Sequence, residues 1–267
     1  MRVFRWFVLL VFLVLLLVPF VWLILTSFRT SSELFSAPFG LPSRWSLDNY
    51  IASFSVHPLQ IYFRNSFVVA ILSTLLTLAT SVLASYALLH RFRLNRAALV
   101  FLIFGLLVPT SAFMVPIFFI IHWLGLYNTW WGLVLTYAGF SFPLSLLIIK
   151  TYMDTIPHEL LEAARIDGAS FHRCFLDVIL PVTVPGIVTA AIFLFITAWN
   201  ELLFANLLTQ DAKAMTVQVG IRYFVTTYAA NYPEAFAATV MAIIPPIVLY
   251  VLLSDRVIEG MTAGALK

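Results

Sequence analysis

The chain has 267 residues, of which 62% are hydrophobic and 10% charged, with a formal net charge of +3 and a mean hydropathy of +1.01. A soluble domain has about 45–50% apolar and about 25% charged residues, so this composition excludes an ordinary soluble protein and indicates an integral membrane protein. The basic residues lie near the ends of apolar segments. This position indicates that they set the orientation of the chain in the membrane and do not bind nucleic acid. The single cysteine, Cys174, excludes an internal disulfide and a cysteine-based metal cluster.

Six apolar segments are long enough to cross a bilayer, whose core needs about 20 helical residues. The first follows Arg2 and Arg5 as in a signal peptide, but its apolar run is too long and no cleavage pattern of small residues follows it. The sequence therefore predicts an all-α polytopic membrane protein with a single transmembrane domain over residues 1–267. The predicted spans are residues 7–25, 66–89, 97–121, 129–149, 182–208 and 235–253.

Positive charge determines the predicted orientation, because short loops rich in Lys and Arg stay in the cytoplasm. The short turn 90–96 contains three arginines, whereas the short turn 122–128 contains no Lys or Arg. Both termini are therefore predicted to be cytoplasmic. The long cytoplasmic loop is then residues 150–181, and the outer connections are residues 29–64 and 210–234. The first outer connection is predicted to be an irregular lid or a set of short surface helices, and each outer connection is either a solvated link or a contact surface.

Two patterns inside the spans concern helix packing. Small hydroxyl residues recur every four residues along the second span and form one stripe, which predicts close packing against a neighbouring helix. The lining of a polar path is the secondary interpretation. The stripe consists of Ser73, Thr77, Ser81 and Ser85. Proline removes a backbone donor and kinks a helix, so Pro109 and Pro116 predict kinks in the third span and Pro245-Pro246 in the sixth.

The fifth predicted span contains the one carboxylate that the sequence places within a span, Glu201. An intramembrane acid is costly and should face the protein interior or a water-filled cavity. Thr197 and Asn200 lie next to it in the same span. Two roles stay open for these residues: a structural hydrogen bond at a helix interface, and a place on a translocation path.

The cytoplasmic loop has a helical pattern of its own. Pro157 suits the first helical position, and Gly168 terminates the helix because it adopts the left-handed conformation without steric cost. Ser170 is predicted to cap a second helix, which Pro181 ends where the fifth span begins. The narrow face of the first loop helix consists of Leu160, Ala163, Ala164 and Asp167.

A helical loop in a chain that is otherwise nearly all membrane predicts a docking surface for a soluble partner. Small residues let the helix enter a groove, and charged residues pair with the rim of the groove. An amphipathic helix resting on the membrane is the weaker alternative, because the segment is acidic instead of Lys-rich. The charged residues are Glu159, Glu162, Arg165 and Asp167.

Motifs for catalysis are missing from the sequence. A phosphate-binding loop needs Gly-Lys followed by Ser or Thr, and none of the three lysines follows a glycine. The segment 158–162 begins like a zinc-protease motif but lacks its second histidine. We therefore expect no catalytic residue, cofactor site or metal site in this chain, and we expect another subunit to supply the energy.

One segment resembles the signature loop of ABC importer permeases. It consists of Glu162-Ala163-Ala164, three further residues, Gly168 and then Val178-Ile179-Leu180-Pro181. One departure is Val178, where the pattern usually has Ile. Other motifs, in their order and spacing, resemble the carbohydrate-type, maltose-like (MalG-like) branch over nearly the whole chain. They are residues 64–66, 91–93, Pro109 with Pro116, 125–129, 156–160, 199–201 and 259–265.

The resemblance implies a type I ABC importer permease fold with six spans, in the cell membrane of a bacterium or archaeon. It implies that a second permease, two ATPase subunits that hold ATP and Mg, and an external solute-binding protein complete the transporter. It further implies that the 162–168 helix is a coupling helix in a cleft of the ATPase, and that 210–234 contacts the binding protein. The expected function is import of a sugar or oligosaccharide by alternating access.

The sequence fits two rival functions less well. An ion-coupled secondary transporter needs internal repeats and several intramembrane charges, of which the sequence offers only Glu201. A membrane enzyme needs a catalytic site, and the sequence offers none. The ion-coupled transporter stays the alternative at this point.

Overall fold

The structure is a set of helices joined by short connections. The computed structural model describes residues 2–89, 95–225 and 231–265, without the side chains of His158 and residues 254–265. All regular elements in these ranges are helices. They are α1 (Arg2–Ser27), α2 (Ser31–Ser36), α3 (Asp48–Val56), α4 (Leu59–Leu89), α5 (Asn95–Leu107), a 3-10 turn (Thr110–Phe113), α6 (Met114–Trp123), α7 (Trp130–Met153), α8 (His158–Ile166), α9 (Phe171–Asn200), α10 (Leu203–Leu208), α11 (Val217–Arg222) and α12 (Tyr232–Ala265).

Some predicted features lie outside the described residues. They include Arg91 and Arg93 of the turn that determined the orientation, residues 226–230 of the second outer connection, and Lys267. The side chains of the 259–265 motif are also not described.

Five described helices are long and apolar enough to cross a bilayer, and the count is six if a bent pair of helices is taken as one broken span. The five are α1, α4, α7, α9 and the first part of α12. Some helices extend well beyond the predicted apolar runs, because a helix does not stop where the bilayer does. α4 begins at Leu59 and not at residue 66, so the 64–66 motif lies inside the helix.

The third predicted span is two helices and not one kinked helix. α5 and the Thr110–Trp123 segment meet at an angle of 93°. Pro109, between them, has φ −58° and ψ 129° and is therefore extended. Proline has no N–H to donate and pushes the preceding residue out of the helical region, so the helix ends before it. Pro116 lies in the first turn of α6, where a missing N–H is tolerated.

The prediction that Pro181 ends the second loop helix is wrong. Ser170 caps this helix as predicted, since its hydroxyl oxygen accepts from the N–H of Arg173 at 3.4 Å. The helix then continues without interruption as α9, from Phe171 to Asn200. Residues 174–179, which end two residues before the proline, form a π-helical turn. In that turn each N–H bonds five residues back, and this shifted register lets the helix continue past a residue that cannot donate.

The chain forms two compact units, one of Met1–Arg64 with Thr216–Pro245 and one of Asn65–Met215 with Pro246–Lys267. In the second unit the predicted hydroxyl stripe of α4 is buried, with each of its four members at most 2% exposed. The Ser85 hydroxyl donates to the backbone oxygen of Leu146 in α7 at 3.2 Å. The stripe is thus a packing face, as predicted.

In the first unit the predicted lid is a folded segment built around a buried arginine. Arg29 is 2% exposed and donates to three backbone carbonyls, including that of Pro38 at 2.9 Å. The Glu33 carboxylate accepts from the backbone N–H groups of Thr30 at 2.8 Å and Ser43 at 3.0 Å. These bonds close the 29–43 segment, so Arg29 holds this fold and is not a solvated surface charge.

Candidate functional site

The first loop helix, α8, has well-defined ends. Pro157 occupies the N-cap and not the first helical position, because its ψ of 133° is extended. At the other end Gly168 has φ +80°, the left-handed conformation that was predicted. The N–H of Gly168 donates to the oxygen of Arg165 at 3.0 Å, and that of Ala169 to the oxygen of Ala164 at 2.9 Å. This pair of bonds is a Schellman cap, which satisfies carbonyls that a helix end would otherwise leave unpaired.

The two sides of α8 differ in exposure. Leu161 is 9% exposed and Ala164 packs behind it, so these two residues face the protein. Leu160 is 45% and Ile166 86% exposed on the other side. The predicted narrow face is therefore divided, because helical spacing alone does not tell which side of a short helix is covered. The charged and small residues that stay exposed are Glu159, Glu162, Ala163, Arg165 and Asp167.

A buried apolar cluster anchors α8 to the spans. The cluster joins Leu161 to residues of α4, α7 and α9, including Tyr86 of α4. The Tyr86 hydroxyl donates to the backbone oxygen of Phe171 at 2.9 Å, which fixes the start of α9. The other members of the cluster are Val82, Ile149, Met153, Ile156, Cys174, Ile179 and Ala190. Through this cluster α8 packs against three long helices.

Two of the three predicted path residues line a cavity in the second unit. Thr197 and Glu201 border a cavity of about 150 Å³, whereas Asn200 is exposed and does not line it. The cavity exceeds the roughly 10–15 Å³ that one water molecule needs. Its other lining residues are Thr110, Tyr137, Phe140, Ser141, Ala198 and Phe204.

Glu201 stands at a break in the predicted fifth span. α9 ends at Asn200, and the short helix α10 begins at Leu203, so the predicted span 182–208 is not continuous. The Glu201 carboxylate accepts from the N–H of Phe204 at 2.8 Å and from that of Ala205 at 2.9 Å. These are N–H groups of the first turn of α10, which have no partner within their own helix. Glu201 therefore has a structural role as a cap and also borders the cavity.

The sequence reasoning missed Tyr137 and Ser141, which contribute two polar groups to the cavity. A signal was present, because Tyr137, Ser141 and Ser145 recur every four residues in an apolar helix. This is the pattern that identified the stripe in α4. In α7 the pattern marks both a cavity wall and a packed face, since Ser145 is buried but does not line the cavity.

The start of the second outer connection is held rigidly within the second unit. Asn128, in the left-handed conformation with φ +58°, accepts from the N–H groups of Gln210 at 2.8 Å and Asp211 at 3.0 Å. Its side-chain amide donates to the Asp211 carboxylate at 2.7 Å. Asn65 donates to the backbone oxygen of Met215 at 2.8 Å. Residues 210–215 are therefore fixed in place and are not a loose link, and residues 210, 211 and 213 are exposed.

Residues 77–262 match the family described as the binding-protein-dependent transport system inner membrane component. This chain belongs to that family. It is therefore a multi-pass component of the inner membrane that serves transport and is not an enzyme, and the resemblance to ABC importer permeases is confirmed. Family membership leaves the ion-coupled alternative without support.

Two relatives and one solved structure are similar along almost the whole chain. The sulfoquinovosyl glycerol transport system permease protein SmoH of Agrobacterium fabrum is 38% identical over 94% of this chain and 89% of its own. The trehalose/maltose transport system permease protein MalG of Thermococcus litoralis is 34% identical over 95% and 92%. A chain of a bacterial ABC transporter involved in the import of the acidic polysaccharide alginate superposes with a TM-score of 0.83 at 21% identity, covering 95% of both chains. That similarity shows the type I permease fold that was predicted.

Proposed function

We propose that this permease belongs to an ATP-driven importer of a sugar or related polyhydroxylated solute. The family match over residues 77–262 is the observation that carries the proposal, because it assigns the chain to transport that depends on a binding protein. The carbohydrate class is supported by the solutes in the names of its relatives, sulfoquinovosyl glycerol and trehalose or maltose. Calorimetry of the cognate binding protein with these solutes, followed by uptake into proteoliposomes, tests the class directly.

The energy for import is proposed to come from ATP and Mg bound to two separate ATPase subunits. The support is that this sequence has no phosphate-binding loop. Among the described residues, no group of three or more His, Cys, Asp or Glu side chains is placed to hold a metal ion. Uptake that requires ATP and is insensitive to an uncoupler supports this energy source, and uptake that collapses with the ion gradient contradicts it.

The exposed side of α8 is proposed to be the surface that couples this chain to an ATPase. Its exposed apolar residues, Leu160 and Ile166, lie outside the predicted bilayer and are otherwise left in water. The acidic side chains predict a basic rim on the partner's cleft. The proposed coupling residues are Glu159, Glu162, Ala163, Ala164, Arg165, Asp167 and Gly168, of which Ala164 and Gly168 shape the helix more than they contact the partner.

A thiol placed on α8 tests this surface. The one native cysteine, Cys174, is 2% exposed, so Ala163→Cys supplies an accessible thiol on an otherwise unreactive background. A short thiol-directed photo-crosslinker on Ala163→Cys should capture the ATPase in the assembled complex, and the parent chain is the matched control. Glu162→Lys should abolish uptake while the chain remains in the membrane. Normal uptake and ATPase activity in Glu162→Lys contradict the coupling role.

A second permease is proposed to complete the pathway. Among the residues that the structure describes, none buries the apolar window of α1, whose mean hydropathy is 3.3. An apolar helix left uncovered must be covered by lipid or by another subunit. Thr197, Asn200 and Glu201 are proposed to lie on this chain's part of that pathway.

The external binding protein is proposed to contact the second outer connection. The fixed segment 210–215 supports this proposal through its exposed residues 210, 211 and 213, because a preorganised surface loses little conformational freedom on binding. In the proposed cycle, ATP closes the ATPase dimer and draws the two coupling helices together. The anchored spans then open outward to the loaded binding protein. Each ligand drives this cycle only to the extent that it binds the two states with different affinity.

A further inference from the structure

One buried hydroxyl group faces the cavity without a hydrogen-bond partner. Tyr137 of α7 is 4% exposed, and its hydroxyl faces Glu201 with no hydrogen bond of normal geometry between them. Nearly all buried polar groups in proteins are hydrogen-bonded, so a lone one requires an explanation. A missing partner that enters the cavity from outside is one such explanation.

The lining of the cavity divides into a polar side and an aromatic side. Hydroxyl groups come from Tyr137, Ser141, Thr110 and Thr197. The aromatic side is formed by Phe140 and Phe204, whose rings stack with centroids 5.0 Å apart and an interplanar angle of 22°. Small-molecule sites typically combine apolar walls with a few polar groups that fix orientation. A sugar ring has the matching surfaces, with hydroxyls at its edge and C–H groups on its faces.

Glu201 determines what kind of ligand the polar side accepts. Each of its carboxylate oxygens accepts one backbone N–H, and a carboxylate offers about four acceptor positions in all. About two positions therefore remain, one beside the Tyr137 hydroxyl that faces the carboxylate and one for a donor that enters the cavity. A negative, acceptor-only group favours hydroxyl donors and disfavours an anionic ligand group. A divalent cation fits poorly, because calcium takes roughly six to eight oxygen ligands and Glu201 is the single carboxylate among the described lining residues.

Two helix breaks border the same cavity. Thr110 follows the break between α5 and the 3-10 turn, and Glu201 stands at the break between α9 and α10. Tyr137 lies about 10 Å along α7 from its start at Trp130, at about 1.5 Å per residue. The cavity is thus within the span region, and discontinuous helices at such depth form solute sites in other transporter folds.

We propose that this cavity is a carbohydrate subsite held by this chain itself. Glu201 accepts hydrogen bonds from sugar hydroxyls, Tyr137 and Ser141 bond to neighbouring hydroxyls, and Phe140 covers a C–H face of the ring. The proposal rests on the proposed function, which supplies the solute class. What it adds is that the solute contacts this permease directly, through a neutral, hydroxyl-bearing part. A sulfonate or carboxylate of an acidic sugar is placed away from Glu201.

Tyr137→Phe is the decisive variant, and Ser145→Ala is its matched control. Both remove a buried hydroxyl that has no partner from the same helix, but only Tyr137 lines the cavity. The whole complex, with partner permease, ATPases and binding protein, is reconstituted in proteoliposomes. Uptake of radiolabelled trehalose, maltose and sulfoquinovosyl glycerol is measured at saturating loaded binding protein, together with ATP hydrolysis. Sugar molecules imported per ATP are the readout, because the apparent KM reflects the binding protein.

We expect Tyr137→Phe to lower the sugar imported per ATP about three- to tenfold, the effect of one lost hydrogen bond, with ATP hydrolysis within twofold of the parent. Ser145→Ala should match the parent. A monodeoxy sugar that lacks the hydroxyl bonded to Tyr137 should lose a similar factor in the parent and nothing further in Tyr137→Phe.

The subsite and the proposed function fail in different ways. If the sugar imported per ATP in Tyr137→Phe equals that of the parent, or falls no further than in Ser145→Ala, the subsite is refuted and the cavity is a hydrated structural cavity only. The proposed importer function is unaffected by that result. If the parent complex accumulates none of the sugars while importing a solute without hydroxyls, the carbohydrate class itself is wrong and the subsite falls with it.

Discussion

Replacing Leu161 by Ala should release α8 from the spans without removing its docking face. Leu161 is 9% exposed and is the α8 member of the buried cluster that joins α4, α7 and α9. α8 has nine residues, and isolated helices shorter than about 12–15 residues are marginal in water. The stability of this helix therefore depends on its caps and on this one anchor.

The size of the effect follows from burial. A buried Leu→Ala change costs about 2–5 kcal/mol, with the smaller values where neighbours relax into the space. Leu161 lies at the edge of the cluster on a short helix, so we expect about 2–3 kcal/mol. That free energy corresponds to a roughly 30- to 150-fold rise in the local opening equilibrium of α8.

Hydrogen exchange of the permease pair in nanodiscs measures this opening. The amides of residues 161–168 should exchange about 30- to 150-fold faster in Leu161→Ala, while those in the middle of α7 stay at the parent rate. Leu160→Ala is the matched control, since it makes the same chemical change at a neighbour that is 45% exposed. Leu160→Ala should leave hydrogen exchange of residues 161–168 nearly unchanged but weaken photo-crosslinking of α8 to the ATPase. Equal exchange in the two variants refutes the reasoning that Leu161 anchors α8.

Other predictions concern the inner packing and the outer lid. Gly186→Ala places a Cβ 2.6 Å from Cγ of Tyr152, at the root of the ring, and should cost about 1–3 kcal/mol and lower the Tm in detergent. Gly139→Ala meets nothing within 4 Å and should match or exceed the parent Tm through better helix propensity. The pKa of Glu33 is lowered from 4.5 to about 2 by hydrogen bonds. The largest contribution comes from the Ser43 side chain, followed by the backbone N–H groups of Thr30 and Ser43. This stabilisation is full above about pH 4.5 and is lost as the pH falls towards 2. The protease resistance of residues 29–43 should therefore decrease between about pH 4.5 and about pH 2. Glu33→Gln should abolish this dependence of protease resistance on pH.

The existence and type of the membrane-spanning helices were predictable because a bilayer permits few backbone conformations. A backbone in hydrocarbon must satisfy its own hydrogen bonds, so apolar runs of about 20 residues imply helices whatever their neighbours are. The loop helices were predictable from the residues that begin and end them. Gly168 and Ser170 act within a few residues of the backbone groups that they satisfy, so no tertiary information is needed.

The helix breaks and the covered face of α8 were not predictable in the same way. Pro109 breaks the third span by 93°, yet α9 continues past Pro181. The difference lies in the residues before each proline, where α9 changes to a π-helical register. Likewise, Leu160 and Leu161 are chemically identical neighbours, and only the packing of three other helices selects which one is buried. Such choices belong to tertiary structure and leave no mark in local sequence.

Glu201 shows why the two roles left open for it do not exclude each other. A helix that breaks within an apolar span exposes N–H groups that lipid cannot satisfy, so the break requires an acceptor nearby. A carboxylate meets that need with two N–H groups and still has acceptor positions left. Those remaining positions cannot be covered by apolar side chains without a further desolvation cost, so they favour a hydrated space beside them. The cap therefore makes the cavity polar, and the structural role of Glu201 is the physical reason that the proposed subsite has acceptors for hydroxyl groups.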